Sequence, residues 1–113
     1  MKESSYRLFL KAFSNKTRFE IIKLLRRSSR NVTEICKELK FEQSRISHNL
    51  KCLEACGFVN SKWNGRNKIY SLDKKHIIPI LDNIDRHIER YNKRLKCCGV
   101  LKNKSCGIIK SRR

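Results

Sequence analysis

The chain has 113 residues, 39% of them hydrophobic, with one proline and four glycines; that allows one modest core and excludes a disordered or collagen-like chain. Twenty-eight Lys and Arg against ten Asp and Glu leave a formal charge of +18, far beyond what solubility requires, which points to a polyanionic partner, with nucleic acid the first candidate. No stretch approaches the about eighteen consecutive apolar residues of a membrane span, and MKESSYRLFLKAFS lacks the long apolar region and cleavage site of an export signal, so a cytoplasmic protein without a membrane partner is expected.

Tyr6, Phe9, Leu10 and Phe13 recur at i, i+3, i+4 and i+7 and predict a first helix. Ser14-Asn15 offers an N-cap for a second, in which Phe19, Ile22 and Leu25, with Ile21 and Leu24 beside them, make a broad buried face. After the polar break Arg27–Asn31, the residues Val32, Ile35, Cys36 and Leu39 mark a short third helix with Thr33 as its expected N-cap. Lys40-Phe41-Glu42 leads to a fourth helix, buried through Ile46, Leu50 and Leu53 and closed by Gly57 as a C-cap glycine. Its expected outward residues are Gln43, Ser44, Arg45, Ser47, His48, Asn49 and Lys51. An ordinary solvated face mixes Glu with Lys; this one holds hydrogen-bonders and cations with almost no acid. Two helices joined by a few residues, the second so equipped, suit a major-groove reader.

The period then changes. Phe58–Trp63 and Lys68–Leu72 read as strands around Asn64-Gly65-Arg66-Asn67, a strong hairpin signal, and Lys62, Arg66 and Lys68 near the tip suit contact with a phosphate backbone, although a solvated tip is the bland alternative. From Asp73 a long helix is expected, regular from about Ile78 because Pro79 sits near its start, with the stripe Ile77, Ile80, Leu81, Ile84, Ile88, Tyr91 and Leu95. So long a stripe exceeds what the chain's own core can cover and favours pairing between two copies, a homodimer. The fold class expected is therefore mainly α with a small β-hairpin wing, dimeric through its terminal helices. The organisation expected is a DNA-binding and dimerisation domain over 1–95, followed by a mobile basic tail over 96–113 that contains Cys97, Cys98 and Cys106.

SNKTRFEIIKLL, SRISHNLKCLEACGFV and WNGRNKIYSL together resemble the ArsR/SmtB winged-helix metalloregulators, over about Tyr6 to Leu95. The motif lies at Ser44-Arg45-x-Ser47-His48-x-Leu50, Gly57 and Gly65-Arg66. The resemblance implies a dimeric repressor that binds a palindromic operator in double-stranded DNA and releases it when a metal ion binds.

Six cysteines in a reducing compartment are read as thiols, metal ligands or redox groups rather than disulfides. Cys52 and Cys56, four apart, share a helix face and could chelate a soft ion such as Zn²⁺, Cd²⁺ or Pb²⁺, given a further ligand. A cadmium- and lead-sensing branch of the family has such a pair completed by a cysteine of the partner's C-terminal segment. Cys97, 41 residues beyond Cys56 (56 to 97), falls at a similar spacing. A second family site on the last helix implies Asp85 and His87, with Cys98 where a histidine stands in relatives and no closing carboxylate; a solvated surface is the plainer reading there. Cys36 alone occupies the arsenic-sensing position and reads as core packing. The competing readings are a metal-independent or thiol-redox-responsive DNA-binding protein and, far behind, an enzyme, for which no C-x-x-C, nucleophile–base pair or glycine-rich phosphate loop exists.

Overall fold

The computed structural model describes residues 2–97, with side chains described as far as Asn92. The backbone forms two compact units, Met1–Ile78 and Pro79–Arg113. The expected tail beyond residue 97, with Cys98 and Cys106, lies outside the described residues.

The first unit holds α1 (Glu3–Ser14), α2 (Lys16–Arg27), α3 (Val32–Leu39), α4 (Gln43–Ala55) and an antiparallel hairpin of β1 (Val59–Asn64) and β2 (Asn67–Leu72). Asn15 caps α2 by accepting from the Arg18 backbone N–H at 2.9 Å. Helix α2 runs through the middle and buries Ile21, Ile22, Leu24 and Leu25. Around it close Ile35 of α3, Ile46, Leu50 and Leu53 of α4, and Phe58 and Val59 at the start of the hairpin, all at most 1% exposed. Each such side chain contributes roughly 1.5–3 kcal/mol relative to exposure.

The first predicted helix is present as α1, and one expectation for the second is corrected. Phe9 and Phe13 do pack on Phe58, with ring centroids 5.1 Å from it, but Tyr6 and Leu10 of the same stripe are 54% and 56% exposed. Phe19 is 40% exposed rather than buried, because the inner side of α2 is filled by Ile21, Ile22 and Leu25; its ring lies under the Lys23 ammonium, 5.5 Å away.

Arg30 joins three elements. Its backbone exchanges hydrogen bonds with Tyr70 of β2 (3.1 and 2.8 Å), and its guanidinium donates to the carbonyls of Leu24 (2.8 Å) and Ser28 (2.7 Å) and to Glu38 of α3 (2.5 Å). Asn31, not Thr33, caps α3. Its side chain accepts from the Glu34 N–H while Glu34 accepts from the Asn31 N–H, a reciprocal capping box that satisfies two donors at once. Lys40 turns the chain between α3 and α4 in the left-handed region at φ 59°.

Gly57 closes α4 as expected. At φ 80° it lets its own N–H reach the Glu54 carbonyl (3.1 Å) and the Phe58 N–H reach Leu53 (2.9 Å), a Schellman closure sealed by the buried Leu53 and Phe58 side chains. The strands pair from Val59↔Leu72 to Asn64↔Asn67, which leaves Gly65 and Arg66 as the two turn residues. Only Gly65 of these has positive φ, at 66°, as in a II′ hairpin turn.

Helix α5 spans Ile77–Cys97 and starts where Asp73 accepts the backbone N–H groups of His76 (2.8 Å) and Ile77 (3.1 Å). These bonds, the His76 one first, hold the Asp73 carboxyl below the usual aspartate value. In the second unit, Ile84 and Ile88 are exposed one turn apart. The expected single long helix is interrupted at Tyr91, whose φ of −113° and ψ of 21° leave helical geometry. Among the described residues no helix is long and apolar enough to cross a membrane.

Candidate nucleic-acid interface

The helix pair α3–α4 with the adjoining hairpin has the form of a helix-turn-helix with a wing. In this form the second helix carries the base-reading side chains and the wing runs along the backbone. Of the seven α4 residues expected outward, Gln43, Ser44, Arg45, Ser47, His48 and Lys51 are exposed. Asn49 is not, and its assignment to the outward face is corrected. It is 8% exposed, donates Nδ2 to the Arg45 carbonyl at 2.8 Å and accepts from Arg18 of α2 at 3.3 Å. A 3.6-residue repeat puts position 49 beside Leu50 and Leu53 on the inner side, where a polar group stays only if it is bonded.

The acidic content of this face is as low as the sequence indicates. Glu54 is turned to the wing, where the Ser61 hydroxyl donates to it at 2.5 Å. On the hairpin, Lys62 and Arg66 are exposed. Lys68 is half-buried, its ammonium 5.8 Å from the Trp63 ring centroid and 5.5 Å from that of Tyr70. Trp63, 67% exposed, places a large aromatic face on the wing beside this cation. Its position in the first strand of the hairpin was legible in the sequence.

Two contributors were missed in the sequence. Thr17, 5% exposed, accepts from Arg45 Nε at 2.8 Å, and Phe41 lies under the same guanidinium with Cζ 3.8 Å from its ring centroid. Thr17 and Arg45 are 28 residues apart, so no local pattern links them.

The cysteines divide. Cys52 is half-buried on α4, and Cys56, the C-cap residue, is exposed one turn later with its N–H on the Cys52 carbonyl at 3.0 Å. Cys36 is half-buried on α3. Among the described residues no three His, Cys, Asp or Glu side chains gather as a metal site. Cys52 and Cys56 bring two thiols to the C-terminal end of α4, one turn apart; the side chain of Cys97 and all of Cys98 lie outside the described residues. Asp85 is exposed on α5, and the His87 ring packs 4.7 Å from that of Tyr91.

These features define a winged helix-turn-helix DNA-binding protein. Residues 15–61 match the family model described as bacterial regulatory protein, arsR family. The HTH-type transcriptional regulator NmtR of Mycobacterium tuberculosis is 34% identical over 80 residues, 71% of this chain and 67% of its own. The solution structure of apo-NmtR superposes with a TM-score of 0.62 over 73% of this chain and 69% of that one. An uncharacterised HTH-type transcriptional regulator of Methanocaldococcus jannaschii is 40% identical over 66% of this chain and 88% of its own. A probable mercury resistance operon repressor of Streptomyces lividans is 26% identical over 65% of this chain and 58% of its own. The homodimeric winged helix-turn-helix domain Mb0332 of Mycobacterium bovis, at 21% identity, shares the fold with a TM-score of 0.67 over 79% of this chain and 84% of that one.

The chain belongs to the ArsR family. Its relatives are transcription regulators, not enzymes. The chain spans 58% to 67% of the lengths of NmtR and the Streptomyces repressor.

Proposed function

We propose that the protein is a cytoplasmic, homodimeric repressor that binds a palindromic operator and leaves it when a soft metal ion binds. The observation that carries the DNA reading is the α4 face, where six exposed hydrogen-bonding or cationic residues stand together and the nearest downstream acid, Glu54, is bound to Ser61. Gln43, Ser44, Arg45, Ser47 and His48 approach base edges, while Lys51, Lys62, Arg66 and Lys68 meet phosphates. Two such helices reach half-sites roughly 34 Å apart in a dimer. Exposed Tyr6, Leu8 and Leu10 on α1 and Ile84 and Ile88 on α5 support pairing through the terminal helices.

Zn²⁺, Cd²⁺ or Pb²⁺ is the effector in this reading, held by Cys52 and Cys56 and completed by Cys97, with Asp85, His87 and Cys98 as the alternative set. The relation to a mercury resistance operon repressor supports a thiophilic metal. Such an ion supplies strong bonds to thiolates and no redox chemistry of its own. Cys52 and Cys56 stand on and at the end of the helix that begins with the base-reading residues, so ligation by their thiolates loads the element that carries Arg45 and Ser47. A differential of a few kcal/mol between two orientations of that helix is enough for derepression.

The test is fluorescence anisotropy on duplex DNA from the protein's own promoter, with a phosphine reductant and titrations of Zn²⁺, Cd²⁺ and Pb²⁺. Tight apo binding is expected to be lost with at least one ion, and Cys52→Ser with Cys56→Ser to keep the binding and lose the response. Tight binding that ignores every ion refutes the metal effector and leaves the metal-independent or thiol-redox regulator. An unchanged response in the double variant refutes the cysteine assignment.

A further inference from the structure

Arg45 is held differently from the other cations of the α4 face. Its guanidinium lies over Phe41, with Cζ 3.8 Å from the ring centroid, and its Nε is bonded to the buried hydroxyl of Thr17. Its backbone carbonyl is gripped by Asn49, which in turn accepts from Arg18. Among the described residues the two terminal nitrogens of Arg45 bond to nothing, and the side chain is exposed at the third position of the helix. Free surface arginines lose most of their rotamer freedom on binding; this one has surrendered much of it in the unbound protein.

With Nε committed to Thr17, the side chain offers one planar edge of two parallel N–H donors. That edge matches two adjacent acceptors in a plane. In the major groove guanine presents O6 and N7 in this way, whereas adenine sets its N6 amino donor beside N7 and opposes a second donor. A phosphate anchor gains from a mobile stem that can follow the backbone; a stacked and bolted arginine suits a target at one fixed position.

We propose that Arg45, aimed by Phe41 and Thr17, reads a guanine in each half-site and is the main source of sequence preference at that position. This rests on α4 being the major-groove helix of an operator-binding dimer. Thr17 and Phe41 act as positioning residues.

The test is selection of the full chain against a randomised duplex library, followed by competition with duplexes in which single G·C pairs are changed to A·T. The wild type is expected to select a consensus with a guanine at one pair of twofold-related positions, favoured over adenine by roughly 5- to 150-fold. Arg45→Gln is expected to shift those two positions to adenine, since glutamine pairs with N6 and N7 of adenine, and to leave the rest of the consensus intact. Thr17→Val, which keeps the side-chain shape, is expected to narrow the guanine preference without moving the consensus. Circular dichroism of each variant confirms the fold before selection. An Arg45→Gln consensus identical to the wild type, with only uniform loss of affinity and a shallower salt slope, makes Arg45 a phosphate contact and overturns the proposal. A wild type that selects no consensus refutes the operator-binding reading and this proposal with it.

Discussion

Replacing Arg30 with methionine tests whether one side chain holds the helix-turn-helix to the wing. The Arg30 side chain is only 12% exposed, and its guanidinium donates to Glu38 at 2.5 Å and to the carbonyls of Leu24 and Ser28 at 2.8 and 2.7 Å. Hydrogen bonds from a charged donor contribute about 1.5–3 kcal/mol each. The Glu38 side of the pair is 43% exposed, which reduces that contact to under about 1 kcal/mol. Leu24 retains a weak bond from the Ser28 N–H at 3.4 Å, so its carbonyl is not abandoned.

The two carbonyl contacts together amount to about 3–6 kcal/mol; the bond Leu24 retains and the apolar burial of methionine offset part of this, so the expected loss for Arg30→Met is about 2–4 kcal/mol. Glu38→Gln should cost less than about 1 kcal/mol. Urea unfolding at fixed protomer concentration, followed by far-ultraviolet circular dichroism, measures both. The single tryptophan, Trp63, is too exposed to report on the core. At roughly 4–8 °C per kcal/mol for a domain of this size, Arg30→Met should melt roughly 8–30 °C below the wild type. A loss within about 0.5 kcal/mol, typical of an ordinary surface position, refutes the reasoning. So does a Glu38→Gln variant as damaged as Arg30→Met, because the ion pair would then outweigh the carbonyls.

Acid should unmask Asp73. Its folded pKa lies below its unfolded value, so its contribution is complete above the unfolded value near about 3.9 and is lost as pH falls through the folded one. The stability gap between wild type and Asp73→Asn should shrink from pH 6 to pH 3, and a constant gap in urea titrations would contradict the capping role. If the proposed homodimer pairs through α5, Ile84→Asp with Ile88→Asp should weaken it by roughly 100-fold or more, from the burial lost with two isoleucines and the charges gained. Sedimentation equilibrium reads this directly, and an unchanged dimer would place the interface elsewhere.

Features that depend on neighbours within about one turn were legible without a structure. The Asn15 cap, the Gly57 closure, the Gly65 hairpin turn and the inward set Ile46, Leu50 and Leu53 follow from backbone sterics and short periods. The polar, acid-poor face of α4 and the +18 charge likewise carried the DNA reading by themselves. Tertiary structure alone decided what depended on distant chain segments. Asn49 is taken from the outward set because Arg18, 31 residues away, supplies its partner. Phe19 is exposed because branched residues fill the inside of α2, and Arg45 is fixed in space by a threonine on that helix. A sequence states which residue types occur and how often they recur. Which polar group meets which is set by the packing of helices against one another, and in this protein that packing holds Arg45 of α4 between Thr17 and Phe41.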